Sequence, residues 1–137
     1  MADSLIVRGL VDVPQPEIAL LLEAGYLYLE MQKFKEAEEV FAGVAALVPH
    51  SDVPVICQGN LAFSQGKFDR AVKLHKEALA RVPDSALGHA HLGEALLFQK
   101  KREEAKKALA RAVELDAEGP AGQFAQSLLS AIESGAI

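Results

Sequence analysis

The sequence contains little cysteine, few aromatic residues and no long apolar run. Cys57 is its only cysteine, tryptophan is absent, and aromatic residues make up 6% of its 137 residues. A single cysteine excludes a disulfide bond within the chain. The first residues, Met-Ala-Asp, include no basic region, so a secretory signal is not indicated, and no run reaches the roughly 18 apolar residues of a membrane span. We therefore predict a soluble, cytoplasmic protein without a membrane span.

An excess of positive charge is also missing. The formal net charge is -5 and the isoelectric point is about 5.3. Because binding nucleic acid requires a basic surface that neutralises phosphates, nucleic acid is not a predicted partner. The longest cluster of charges, from Lys100 to Lys107, mixes both signs. Such a mixture is typical of a solvated helix face.

Motifs for catalysis, cofactors and metals are absent as well. The sequence has no Gly-x-Ser-x-Gly, no His-Glu-x-x-His and no Cys-x-x-Cys, and Gly66-Lys67 lacks the upstream glycine of a phosphate loop. His89 and His91 would point to opposite sides of a helix, so we interpret both as packing or surface residues. Cys57 is interpreted as a small buried or groove-lining residue. We predict no enzymatic activity, no cofactor and no metal site.

What the sequence does contain is a repeat with an interval of 34 residues. The residues in register are Gly25, Gly59 and Gly93; Ala37, Ala71 and Ala105; Phe41, His75 and Leu109; and Pro49 and Pro83, followed by Ala117. The chain is long enough for one compact domain but too short for two with substantial cores. An interval of this length therefore indicates one domain built by stacking similar units.

Each unit is predicted to be a pair of helices. In the second unit apolar residues recur every three or four positions over residues 52–65 and 68–82, and Gln65-Gly66 lies between these runs. Gly59 costs about 1 kcal/mol in helix propensity. We expect closer packing against the partner helix to offset that cost. Pro83 ends the unit, and Asp84 and Ser85 can cap the next helix.

Paired helices with glycine and alanine at fixed points of a 34-residue period resemble the tetratricopeptide repeat. The resemblance implies an all-α fold, an α-solenoid of three helix-turn-helix units over residues 18–119. Residues 1–17 form an apolar N-terminal segment, and residues 120–137 form a capping helix and tail in which Phe124, Leu128, Leu129 and Ile132 cover the last repeat. Seven main helices are expected.

The resemblance also implies a binding groove, because the first helices of such units line a concave surface. The side chains expected to bind a protein or peptide partner with an apolar segment are Leu22, Tyr26, Leu29, Ile56, Asn60, Phe63, Leu87, Glu94 and Leu97. Most are apolar, while Tyr26, Asn60 and Glu94 supply sparse polar groups that could hold a peptide in register. The alternative interpretation is that some of these side chains only cover neighbouring helices.

One subgroup of the repeat family binds acidic chaperone tails through a clamp of lysine, asparagine and arginine. The matching positions here hold Leu22, Tyr26, Cys57, Leu87 and His91. A small, acidic, three-repeat chain with an apolar groove instead resembles the bacterial type III secretion chaperones, which hold an aggregation-prone secreted subunit in the cytoplasm. This resemblance rests on size, charge and the character of the groove.

Two hypotheses on function follow. The first is a cytoplasmic chaperone that shields an apolar segment of a secreted subunit, and the second is a scaffold or adaptor that bridges components of a larger assembly. The N-terminal segment, with Leu5, Ile6, Leu10 and Val11, either docks on the first repeat or forms a weak homodimer.

Overall fold

The computed structural model describes residues 15–137, which form seven α-helices and no strand. The helices are α1 (Gln15–Glu30), α2 (Phe34–Leu47), α3 (Val53–Ser64), α4 (Phe68–Arg81), α5 (Ala86–Phe98), α6 (Arg102–Leu115) and α7 (Pro120–Glu133). The predicted all-α class is thereby confirmed. The apolar residues from Leu5 to Val11 lie outside the described residues, and α1 begins inside the segment predicted to end at residue 17.

The helices form three hairpins, α1 with α2, α3 with α4 and α5 with α6, and each hairpin also packs on the next. The backbones of neighbouring first helices approach one another, whereas those of α2, α4 and α6 do not in the described part of the chain. Between α2 and α4 only long side chains meet, as Arg70 and Glu38 do over 3.8 Å. Neighbouring hairpins are therefore closer together along the first helices than along the second. Such a stack curves, with α1, α3 and α5 on its inner side.

The turn inside each hairpin is the same three-residue structure. Gln32, Gly66 and Lys100 all adopt a left-handed conformation, with φ of 61°, 76° and 68°. In each turn the following lysine donates its backbone N–H to a carbonyl five residues earlier, as Lys67 does to Ala62 over 2.9 Å. This bond belongs to the Schellman motif that ends a helix. The spacing of these turns confirms the 34-residue register.

The three aligned glycines each let a bulky side chain of the second helix approach. A Cβ atom on Gly59 would overlap the ring of His75, which is 1% exposed. The equivalent contacts in the other hairpins are Gly25 with Phe41 and Gly93 with Leu109. The expectation that Gly59 permits close packing of the helix pair is confirmed.

The C-terminal helix covers the last hairpin, since α7 packs on both α5 and α6. Ile132 and Ala125 are buried in a cluster with Leu109 and Ala112. Phe124, Leu128 and Leu129 pack against the same cluster.

The predicted cap of the third hairpin is also found: Ser85 caps α5, where its Oγ accepts the N–H of Gly88 over 3.0 Å. None of the described helices combines the length and apolarity needed to cross a membrane.

Candidate partner-binding face

The inner face of the stack is formed by α1, α3 and α5, and we call it the groove face. Three of the predicted residues lie together on its first helix. Leu22, Tyr26 and Leu29 are half-buried and pack against a cluster that includes Cys57 and Phe41. The ring of Tyr26 meets that of Phe41 edge to face, with centroids 5.2 Å apart. These side chains form a fixed apolar surface at the first hairpin.

The polar groups of this region bind each other. Asn60 Nδ2 donates a hydrogen bond to Tyr26 Oη over 3.1 Å, and this bond joins α3 to α1. Cys57 is buried beside them, and burial raises the pKa of its thiol to about 11. Burial also raises the pKa of the Tyr26 hydroxyl. Both groups are therefore neutral at physiological pH, and Cys57 is not a reactive thiolate.

Ile56 corrects the predicted set. Its side chain is 1% exposed and belongs to the central core with Val55, Ala62 and Leu96. It offers no surface to a partner, because α3 is covered by hairpins on both sides and more of its circumference is buried than that of α1. Helical periodicity locates the face of a helix, but the neighbours decide how much of that face reaches solvent.

Phe63 and Leu97 lie farther along the groove face, at the ends of α3 and α5. Both are partly buried and pack against the central core. Phe63 is in edge-to-face contact with Phe68 and Phe98, with centroid distances of 5.2 and 4.8 Å. The ring of Phe63 therefore belongs to an aromatic cluster beside the hairpin turns, and the predicted residues do not form one continuous stripe with Tyr26.

The third hairpin contributes Leu87, which is 38% exposed, and Glu94. The carboxylate of Glu94 is 3.3 Å from Nδ1 of His91, so this polar group too is partnered within the chain. His91 stacks on one side on His75, with centroids 5.8 Å apart, and contacts Phe124 at 5.3 Å. This contact links α4, α5 and α7.

The stack of His75 and His91 is a feature that the sequence analysis missed. Burial, and then the charge of His91, lower the pKa of His75 to about 3, and its Nδ1 has no hydrogen-bond partner among the described residues. The 34-residue repeat could have indicated this burial, because it aligns His75 with Phe41 and Leu109, two apolar side chains that pack against glycine. A histidine at that position is in the core of a hairpin.

The fold and this face define a class of protein, an array of helix hairpins that presents an inner face for protein interaction. The sequence profile of the tetratricopeptide repeat matches residues 62–132, which is 71 of 137 residues and thus more than half of the chain. The chain belongs to the tetratricopeptide repeat family.

Two kinds of similar protein are found. Human Tetratricopeptide repeat protein 7A is 32% identical over 109 residues, which cover 71% of this chain and 13% of that protein. The chain thus spans a small part of its relative. The Yersinia enterocolitica type III secretion translocator chaperone SycD has a TM-score of 0.74 at 21% identity, with 85% of this chain and 90% of SycD covered.

Two complexes with peptides share the fold. SycD has also been solved with a peptide of the translocator YopD, with a TM-score of 0.70 at 22% identity, covering 90% of this chain and 97% of that one. The first repeat domain of Spaghetti (RPAP3), bound to the HSP90 peptide SRMEEVD, has a TM-score of 0.67 at 24% identity, covering 85% and 97%. Because these solved structures are less than 25% identical to this chain, the similarity shows a shared fold and not a shared partner.

Proposed function

We propose that this protein binds an extended apolar segment of a protein partner along its groove face, and that it acts as a cytoplasmic chaperone of a subunit secreted by a bacterial type III system. The observation that carries the proposal is the pairing of polar groups on that face. Tyr26 bonds Asn60, and Glu94 lies against His91. A partner segment therefore meets mainly apolar side chains, such as the half-buried Leu22 and the exposed Leu87.

The composition of the groove face argues against an acidic tail as its ligand. The positions that match the carboxylate clamp hold Leu22, Tyr26, Cys57, Leu87 and His91. None is a lysine or an arginine, and Nδ1 of His91 already lies 3.3 Å from the carboxylate of Glu94. Burial raises the pKa values of Tyr26 and Cys57, so both side chains are neutral at physiological pH. An acidic tail would lose hydration at this face without gaining ion pairs. The side chains of an apolar segment carry no charge that would have to be desolvated. SycD, which shares the fold, has been solved with a translocator peptide.

The alternative is a scaffold or adaptor that bridges parts of a larger assembly. Tetratricopeptide repeat protein 7A, which is 32% identical over the matched region, is a human protein and not a bacterial secretion chaperone, and this chain matches 13% of it. In an adaptor the repeats would hold soluble partners together.

Co-expression separates the two functions. The partner is first identified by co-purification from the native cell and is then produced alone and together with this protein. A chaperone keeps in solution a subunit that aggregates alone, whereas the partners of an adaptor are soluble without it. If the partner stays soluble alone, the chaperone function is wrong.

Calorimetry with groove variants then tests the binding face. Leu22→Ala and Leu87→Ala should weaken binding, and a truncated hot-spot anchor costs about 2 kcal/mol, or roughly thirtyfold in affinity. Lys76→Ala, an exposed position on the outer helix α4, is the matched control and should bind normally. Because apolar contacts involve no charges that salt could screen, added salt should change the affinity little.

A further inference from the structure

A second surface lies at the edge of the stack where the hairpin turns are found. Phe98, the last residue of α5, is 51% exposed although it is a large aromatic side chain. Its ring contacts those of Phe63 and Phe68, with centroids 4.8 and 5.3 Å away. The contacts beneath fix its position, while half of its surface remains available to another molecule. We call these three residues the aromatic edge.

Two clefts adjoin the aromatic edge. One, of about 600 Å³, lies beside Phe68 and is also lined by Lys67 and Lys101. The other, of about 360 Å³, lies beside Phe98 and is also lined by Lys100, Arg102 and Ile137. Arg102 donates a hydrogen bond to the backbone oxygen of Ile137 over 3.1 Å, which leaves Lys100 as the unpaired cation of this cleft among residues 15–137. A side chain placed in either cleft would contact an aromatic ring and a cation together.

The charge of this edge is opposite to that of the whole protein. Although the net charge is -5, the turn lysines Lys67, Lys100 and Lys101 have no carboxylate within ion-pair distance in residues 15–137. The one carboxylate in the larger cleft, that of Asp69, accepts a hydrogen bond from Gln99 over 2.6 Å. The lysines can therefore pair with charges supplied by a partner.

We propose that the aromatic edge is a docking surface for an acidic segment of a partner protein that carries an aromatic or large aliphatic anchor. The anchor packs on Phe98, and flanking carboxylates pair with the ammonium groups of Lys67, Lys100 and Lys101. A short segment touches only this edge. A nucleic acid or an anionic membrane would extend over the acidic remainder of the surface and be repelled by it. The aromatic edge adjoins the groove face at Phe63, but this proposal does not rest on the apolar segment proposed for that face.

The test uses a fluorescent synthetic peptide with one central tryptophan flanked by glutamates, and binding is followed by fluorescence anisotropy. We expect Lys101→Glu and Phe98→Ala each to weaken binding about tenfold or more. Lys76→Glu, which makes the same charge change on the exposed outer face of α4, is the matched control and should stay within about twofold, since a distant surface charge is screened. Circular dichroism checks that each variant is folded.

Two peptide controls separate the contributions. Replacing the tryptophan with serine should weaken binding to the wild-type protein as much as the Phe98→Ala substitution does. In the Phe98→Ala variant the same peptide change should weaken binding little further, because the contact is already lost. Replacing the glutamates with glutamines should remove the salt dependence together with most of the affinity.

Four results would overturn the proposal. The first is no binding of the peptide up to about 1 mM, and the second is an equal loss of affinity in Lys76→Glu and Lys101→Glu. The third is weaker binding by Leu87→Ala, on the groove face, together with normal binding by Phe98→Ala. The fourth is binding of phosphatidylserine vesicles through Phe98 by a protein that does not bind the peptide.

Discussion

At the C-terminal end of the stack, α7 lies across α5 and α6 and buries Ile132 in the cluster formed with Leu109. At the N-terminal end, α1 contacts α2 and α3, and three of its large apolar side chains remain exposed. They are Leu20, which is 68% exposed, Leu27 at 59% and Leu21 at 41%. The two ends of one repeat array are therefore built differently.

The difference shows what a repeat needs in order to be stable. An inner repeat buries its apolar surface against neighbours on both sides, whereas a terminal repeat requires a cover or keeps apolar surface in water. At the C-terminal end α7 supplies the cover. At the other end the described residues begin with α1, whose Leu20 and Leu27 are exposed. We therefore expect substitutions at the two ends to have unequal effects on stability.

The largest effect is expected at the covered end. Ile132→Ala removes a side chain that is 7% exposed and leaves a cavity between α7 and the last hairpin. Such truncations cost about 2–4 kcal/mol of the free energy of unfolding, measured by urea denaturation with circular dichroism. A loss below about 0.5 kcal/mol would mean that α7 does not cover the last repeat.

The next effect concerns the contact between helices inside a hairpin. Gly59→Ala forces a Cβ atom into the ring of His75 and should cost about 1–3 kcal/mol through overpacking. Gly43, on α2, is the matched control because it is exposed and nothing lies within 4 Å of an added Cβ atom. Gly43→Ala should stabilise the protein by about 0.5–1 kcal/mol through helix propensity. Thermal unfolding of both variants would contradict this account if the two shifts had the same sign.

The third effect depends on pH. Burial lowers the pKa of His75 from 6.5 to about 3, so below pH 6.5 the unfolded chain binds a proton that the folded protein does not. Stability is therefore complete above pH 6.5 and falls as the pH decreases toward 3, by at most about 1.4 kcal/mol per pH unit. Urea denaturation at pH 7 and pH 5.5 measures this loss.

His75→Leu is the control for that measurement, since Leu109 occupies the equivalent position in the third hairpin. This variant lacks the titrating ring and should lose less stability than the wild type between pH 7 and pH 5.5. An identical pH dependence in both proteins would show that other groups cause it.

The smallest effect is expected at the end formed by α1. Leu27→Ala truncates a side chain that is 59% exposed, so the free energy of unfolding should change by less than about 0.5 kcal/mol. Urea denaturation of Leu27→Ala and Ile132→Ala under the same conditions compares the two ends directly. A loss equal to that of Ile132→Ala would place Leu27 in a buried contact and remove the difference between the ends.

Much of the fold could be predicted from the sequence because stacked repeats depend on local spacing. The contacts of Gly25, Gly59 and Gly93 follow from the 34-residue register. The covering role of Ile132 follows from the amphipathic pattern after Gly119-Pro120, which lies outside that register. The hairpin turns were predicted less well, since only Gly66 among the three left-handed positions is glycine.

The binding face was harder to predict because its properties arise between hairpins. Periodicity assigned Ile56 to the groove, but contact with the hairpins on both sides buries it. Asn60 and Tyr26 were expected to face a ligand, whereas they bond each other across 34 residues of sequence. The exposure of Phe98 depends on where α5 ends relative to α3, which sequence spacing does not specify.

The central claim is that a partner segment lies along the groove face, and site-specific photo-crosslinking tests it most directly. A photoreactive amino acid replaces Leu87 on α5 or, in a control, Lys76 on the outer helix α4, and each variant is irradiated with the partner identified by co-purification. We predict a crosslink from position 87 and none from position 76. A crosslink from position 76 with none from position 87 would contradict the claim.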